Sequence, residues 1–169
     1  EAVLQTQQEN GGWSHTQEKV APNTTVAGFN CLLSVQEALG NQLSQNQKQL
    51  LSVGLAQALD WLNKHYSPKQ NTGGTAMMTY LCNLERAAIS CGLDQLRNKD
   101  WYRQGVAAVL KAHCSTKKRI KGSTVNLSFA LLFLTRGRVP LALVELREDK
   151  TTFDQFRLAQ KMSTAISNQ

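Results

Sequence analysis

Two stretches of this chain repeat each other without a gap: Leu62, His65, Ser67, Gly74 and Thr75 return as Leu110, His113, Ser115, Gly122 and Ser123, an offset of 48 residues from Leu62 to Leu110. A looser first copy sets Leu4, Gln8 and Gly12 ahead of Thr25 and carries a longer connection. In each copy a Leu-led segment runs into a Gly/Asn/Lys-rich stretch, and a Thr- or Ser-led apolar segment follows. A period of this size belongs to stacked pairs of α-helices, because one pair cannot bury its apolar face alone. The pattern predicts an all-α fold made of helical hairpins.

Apolar spacing places the individual helices. Thr24 and Thr25 offer an N-cap to a helix through Gly28, Cys31, Leu32, Val35 and Leu39, with Gly40 as its stop. A second helix is predicted over 47–65, with Leu50, Leu51, Leu55, Leu59 and Leu62 at three- and four-residue spacing. Thr75 opens a third, carrying Met77, Met78, Leu81, Leu84, Ala87, Ala88 and Ile89. Asp100 caps a fourth through Trp101, Val106, Val109 and Leu110, and Ser123 caps the most apolar of all, over 127–134. Amphipathic segments thus alternate with segments apolar on more than one side, as two concentric or stacked layers require. The helices led by Thr25, Thr75 and Ser123 are expected inside, and those starting near Gln47 and Asp100 outside. After Pro140 the pattern changes to a short apolar arm over 141–146 and a final helix over 152–166, which divides the chain into repeats at 1–138 and a C-terminal arm and helix at 139–169.

At 169 residues and 41% hydrophobic the chain supports one core. No apolar run approaches the roughly 20 residues a membrane-crossing helix needs. Residues 1–10 are polar and already in helical register, which suggests a segment of a longer protein whose targeting signals, if any, lie upstream. No residue pattern marks a compartment. Cys31, Cys82, Cys91 and Cys114 form no Cys-x-x-Cys pair and are read as buried free thiols. A net charge of +7 invites a nucleic-acid reading, but the densest basic run, Lys117, Lys118, Arg119 and Lys121, falls in a loop with no flanking aromatics. Nucleic acid is not an expected partner.

The stretch Gln8-Glu-Asn-Gly11-Gly-Trp13 fits the Gln-x-x-Gly-x-Trp pattern of the repeats in squalene and oxidosqualene cyclases and related protein prenyltransferases. With Leu62-Asn-Lys-His-Tyr-Ser, Tyr80-Leu-Cys-Asn-Leu-Glu85-Arg86, Asp100-Trp-Tyr-Arg-Gln-Gly105 and the segment from Ser128 to Pro140, the chain resembles bacterial prenyltransferase- or squalene-cyclase-like proteins over most of its first 146 residues. The resemblance implies an α/α toroid, here part of a ring, in which Gln8, Gly11 and Trp13 tie an outer helix to the next inner one. Toroids host cyclases, transferases and binding modules alike, so the resemblance points to fold rather than to a reaction.

Of the catalytic groups of those enzymes, the clustered carboxylates are absent, and the candidate zinc ligands, His15, His65, His113, Cys82 and Cys114, make no convincing set. A class II cyclase needs clustered carboxylates to hold a strong acid, whereas Asp60 stands alone beside Trp61 on an outer helix. A prenyltransferase needs zinc on Asp, Cys and His. His65 and His113 occupy equivalent positions at the ends of outer helices, which favours a loop-anchoring role, and neither a metal nor another cofactor is expected. Trp101 and Tyr102, at a helix start, read as packing anchors. His15, Tyr80, Glu85 and Arg86 remain as possible cavity or ligand contacts. Glu85-Arg86 is the one charged pair inside an apolar helix, and buried charge is costly unless paired, so a structural ion pair is the first reading. The chain is accordingly read as a non-catalytic interaction or scaffold module of a larger bacterial protein, engaging a protein partner or the rest of its parent chain, with self-association through an unpaired repeat edge also open. The alternative is a lipid- or isoprenoid-binding, terpene-cyclase or prenyltransferase-like fragment whose catalytic residues lie outside the chain.

Overall fold

A computed structural model describes residues 2–14, 20–68, 75–113 and 122–136. His15, the basic run at 117–121 and the arm and helix expected over 139–169 lie outside them. The described chain is helical apart from one small hairpin. In order, it forms α1 (Ala2–Gln5), α2 (Pro22–Leu39), α3 (Gln45–His65), α4 (Thr75–Cys91), strands β1 (Gln95–Leu96) and β2 (Lys99–Asp100), α5 (Trp101–His113) and α6 (Thr124–Arg136).

Helix ends follow local chemistry. α2 begins three residues before Thr25, because Pro22 sits in its first turn, where a missing N–H costs nothing and the fixed φ suits a helix. Thr24 and Thr25 therefore do not cap α2; they lie inside it and serve the preceding loop. α3 starts at Gln45 under a capping box, in which Ser44 Oγ accepts from Gln47 N and Ser44 N donates to Gln47 Oε1 at 2.9 Å. Asp100 Oδ1 accepts from Arg103 N at 2.7 Å ahead of α5, and Ser123 Oγ accepts from Asn126 N at 3.3 Å ahead of α6. The two-strand antiparallel hairpin pairs Gln95 with Asp100 and Leu96 with Lys99. Arg97 and Asn98 both take positive φ, 54° and 56°, as a tight two-residue turn demands.

α2, α4 and α6 pack consecutively, α2 on α4 and α4 on α6, while α3 packs on α2, and α5 on both α4 and α6. α2 and α3 run antiparallel: Gly12 lies against Thr25 near the start of α2 and Trp61 near the end of α3, and Leu32 lies beside Gly54 farther along both. α5 and α6 do the same, with Tyr102 Oη donating to Leu134 O at 3.2 Å and Gly105 lying under Phe133. Asn30 Nδ2 donates to Asn83 O at 2.8 Å between α2 and α4, and Cys82 Sγ to Phe129 O at 3.5 Å between α4 and α6. The core joins Val26, Phe29 and Leu32 of α2 with Leu55, Ala58 and Leu62 of α3, Met78, Tyr80, Leu81 and Leu84 of α4, Val109 of α5 and Phe133 of α6. No helix among the described residues is long and apolar enough to cross a membrane.

Two expectations are corrected. Cys31 is exposed rather than buried, because the core face of α2 runs through Phe29 and Leu32; Cys82 is half-buried and Cys91 buried, all three as free thiols. Asp60 is a surface carboxylate, as expected, and pairs with Lys64 one turn on at 2.8 Å on the exposed face of α3. The most apolar helix is not the most buried. α6 sinks Ala130 and Phe133 but leaves Val125, Leu131 and Leu132 exposed, at 54, 63 and 46%. The described residues beyond α4 and α5 supply no further helix to cover that side.

Candidate functional site

Two places gather the polar side chains singled out by sequence. The first is the loop between α1 and α2. Gly11 turns it with φ +86°, a conformation L side chains rarely adopt, and Gly11 N donates to Gln8 O at 2.8 Å while Gln8 N donates to Gly12 O at 2.9 Å. The turn drives Trp13 into the core, 5% exposed, where its ring lies on Gly28 so closely that a Cβ there would stand 2.5 Å from Trp13 Cδ2. Trp13 Nε1 donates to Val3 O at 3.0 Å, Trp13 N donates to Thr25 Oγ1 at 3.1 Å, and Thr24 Oγ1 donates to Trp13 O at 2.8 Å. Gln8 Nε2 reaches only Ser14 Oγ, at 2.9 Å. Its neighbour makes the long-range bridge: Gln7 Nε2 donates to Gly11 O and to Gly54 O of α3, both at 2.9 Å. Of two adjacent glutamines, sequence alone offers no signal for choosing the one whose side chain faces α3.

The second place is a cavity of about 330 Å³ on the C-terminal half of α4, lined by Glu85, Arg86, Ile89 and Ser90. Glu85 is fully buried, whereas Arg86 points to solvent. Consecutive helical residues diverge by about 100°, so one of the two can be buried while its neighbour, though it also lines the cavity, is exposed. Tyr80, one turn earlier, is 1% exposed in the core and does not line this cavity.

Tyr80 belongs with Tyr66 and Cys91 to a set of buried acids. Tyr66 Oη donates to Trp101 O at 3.1 Å, and Trp101 Nε1 donates to Leu93 O at 2.6 Å, which ties the end of α3 to the hairpin and α5. Burial pushes all three groups up: the Cys91 thiol to about 12, and both phenols well above their ordinary range, helped by Asp100 at Tyr66 and by Tyr66 at Tyr80. The unfolded chain releases these protons from near 9 for the thiol and 10 for the phenols, while the native state still holds them. Their contribution to stability is therefore complete below pH 9 and declines as pH rises beyond it. Urea unfolding at pH 7 and pH 10.5 should give a lower midpoint at the higher pH, and iodoacetamide at pH 8 should label exposed Cys31 while sparing Cys91.

The two equivalent histidines close their helices. His65 Nδ1 donates to Trp61 O at 2.8 Å and its ring stacks on that indole at 4.2 Å between centroids, and His113 lies against Gly122 at the entry to α6. Among the described residues no three His, Cys, Asp or Glu side chains gather as a metal site would require. Comparison with protein-family models, with curated proteins and with solved structures finds no match to this chain. The functional reading therefore rests on the residues and their packing.

Proposed function

We propose that the chain is a non-catalytic interaction or scaffold module, built as an arc of an α/α toroid of the prenyltransferase and squalene-cyclase type. One observation carries this reading. Three of the four aromatics of the consecutively packed helices, Phe29, Tyr80 and Phe133, are spent on the core at 0–1% exposure, instead of standing around a chamber where they could shelter a carbocation or a prenyl chain. The 48-residue hairpin period, the Gln-x-x-Gly-x-Trp loop and the α2–α4–α6 row support the toroid; the exposed apolar residues on α6 support engagement of another surface. A ligand-binding role is the second reading, drawn from the buried carboxylate of Glu85 at the cavity on α4.

Native mass spectrometry separates the two. The scaffold reading expects the bare polypeptide of 18.7 kDa or whole multiples of it. A co-purifying lipid or stoichiometric zinc, lost on mild denaturation, would replace it with the ligand-binding reading.

A further inference from the structure

The 48-residue offset makes a comparison between α4 and α6 that neither helix makes alone. Val125, Phe129 and Leu132 of α6 are the counterparts of Met77, Leu81 and Leu84 of α4. In α4 those three are buried at 6, 0 and 1%, with Leu81 beside Gly105 of the α5 that follows it. In α6 Val125 and Leu132 are exposed at 54 and 46%, and with Thr124, Ser128 and Phe129 they line a groove of about 250 Å³. The same stripe is a core face in one repeat, whereas in the next only Phe129 is half-buried and its two neighbours are exposed. Each earlier helix of the row is followed in the chain by a helix that packs on it: α3 on α2, and α5 on α4.

We propose that the groove along Val125, Phe129 and Leu132 is the docking seat of the chain's own C-terminal segment, residues 152–166, which binds there as the next helix of the repeat. This rests on the repeat reading of the fold and not on the scaffold role. The segment fits by pattern: Phe156, Ala159, Met162 and Ile166 recur at three- and four-residue spacing on one side, while Asp154, Arg157 and Lys161 fall on the other. It fits by reach as well. Residues 137–151 can span roughly 50 Å when extended, against about 20 Å for the length of α6, so the segment can fold back along the whole groove. Short isolated helices are marginal in water, so this one would gain its order from the seat.

The test is hydrogen–deuterium exchange on the full chain, read by peptide. Amides of 156–166 should exchange at least about tenfold more slowly than unstructured chain, and Leu132→Glu or Val125→Glu should each abolish that protection while α2 and α4 keep theirs. Both substitutions are at exposed positions, so the core survives them. Unprotected 156–166 in the unmodified chain, or protection that persists in both variants, overturns the proposal. So does protection that disappears on dilution, which would assign the groove to a second copy. A lipid found by native mass spectrometry would overturn the scaffold role and leave this result untouched.

Discussion

Replacing Trp13 with alanine should cost about 3–5 kcal/mol of stability, the range for truncating a large buried aromatic. The indole fills the space between α1 and α2, lies on Gly28, and spends its N–H on Val3 O. Its loss leaves a cavity where the first hairpin is closed, and only α1 and the loop would be free to collapse into it. Trp13→Phe keeps most of the apolar volume and drops the hydrogen bond, so it should cost roughly 1–2 kcal/mol. Urea unfolding followed by helical circular dichroism measures both. Equal midpoints for Trp13→Ala and the parent chain would mean that the loop contributes nothing to the folding unit.

The second large effect belongs to Gly11. A side chain there meets two obstacles: the backbone at φ +86° costs a non-glycine residue roughly 1–3 kcal/mol, and the new Cβ would collide with the carbonyl of Gln57 in α3, which as helix backbone cannot move aside. Gly11→Ala should therefore destabilise by at least the upper part of that range. It should also loosen Gln7, whose amide bridges Gly11 O and Gly54 O. In an amide spectrum the signals of residues 4–14 should shift most, with those of α5 and α6 least affected. A variant as stable as the parent chain would show that the turn adopts its conformation without need of glycine.

Much of the scaffold is legible in the residues because helix signals are local. Apolar positions three and four apart, Asp100 and Ser123 as caps, and the alignment of His65 with His113 place α3 to α6 within a few residues. Local rules also account for what sequence reasoning passed over: Pro22 at the first turn of α2 outranks Thr24 and Thr25, and the capping box of Ser44 with Gln47 starts α3 two residues ahead of the expected position. The hairpin at 95–100 is harder to read, since each strand has two residues and Arg97 is an unusual choice for a positive φ.

By itself, then, the sequence determined the helical segments and their 48-residue recurrence, because spacing and capping act over a few neighbouring residues. Only the tertiary structure decided that Gln7 rather than Gln8 reaches across to α3, that Glu85 is buried while Arg86 faces solvent, and that the apolar stripe filling the core on α4 leaves Val125 and Leu132 exposed on α6. Those outcomes depend on which distant helix arrives against each face, and burial is a property of the pair.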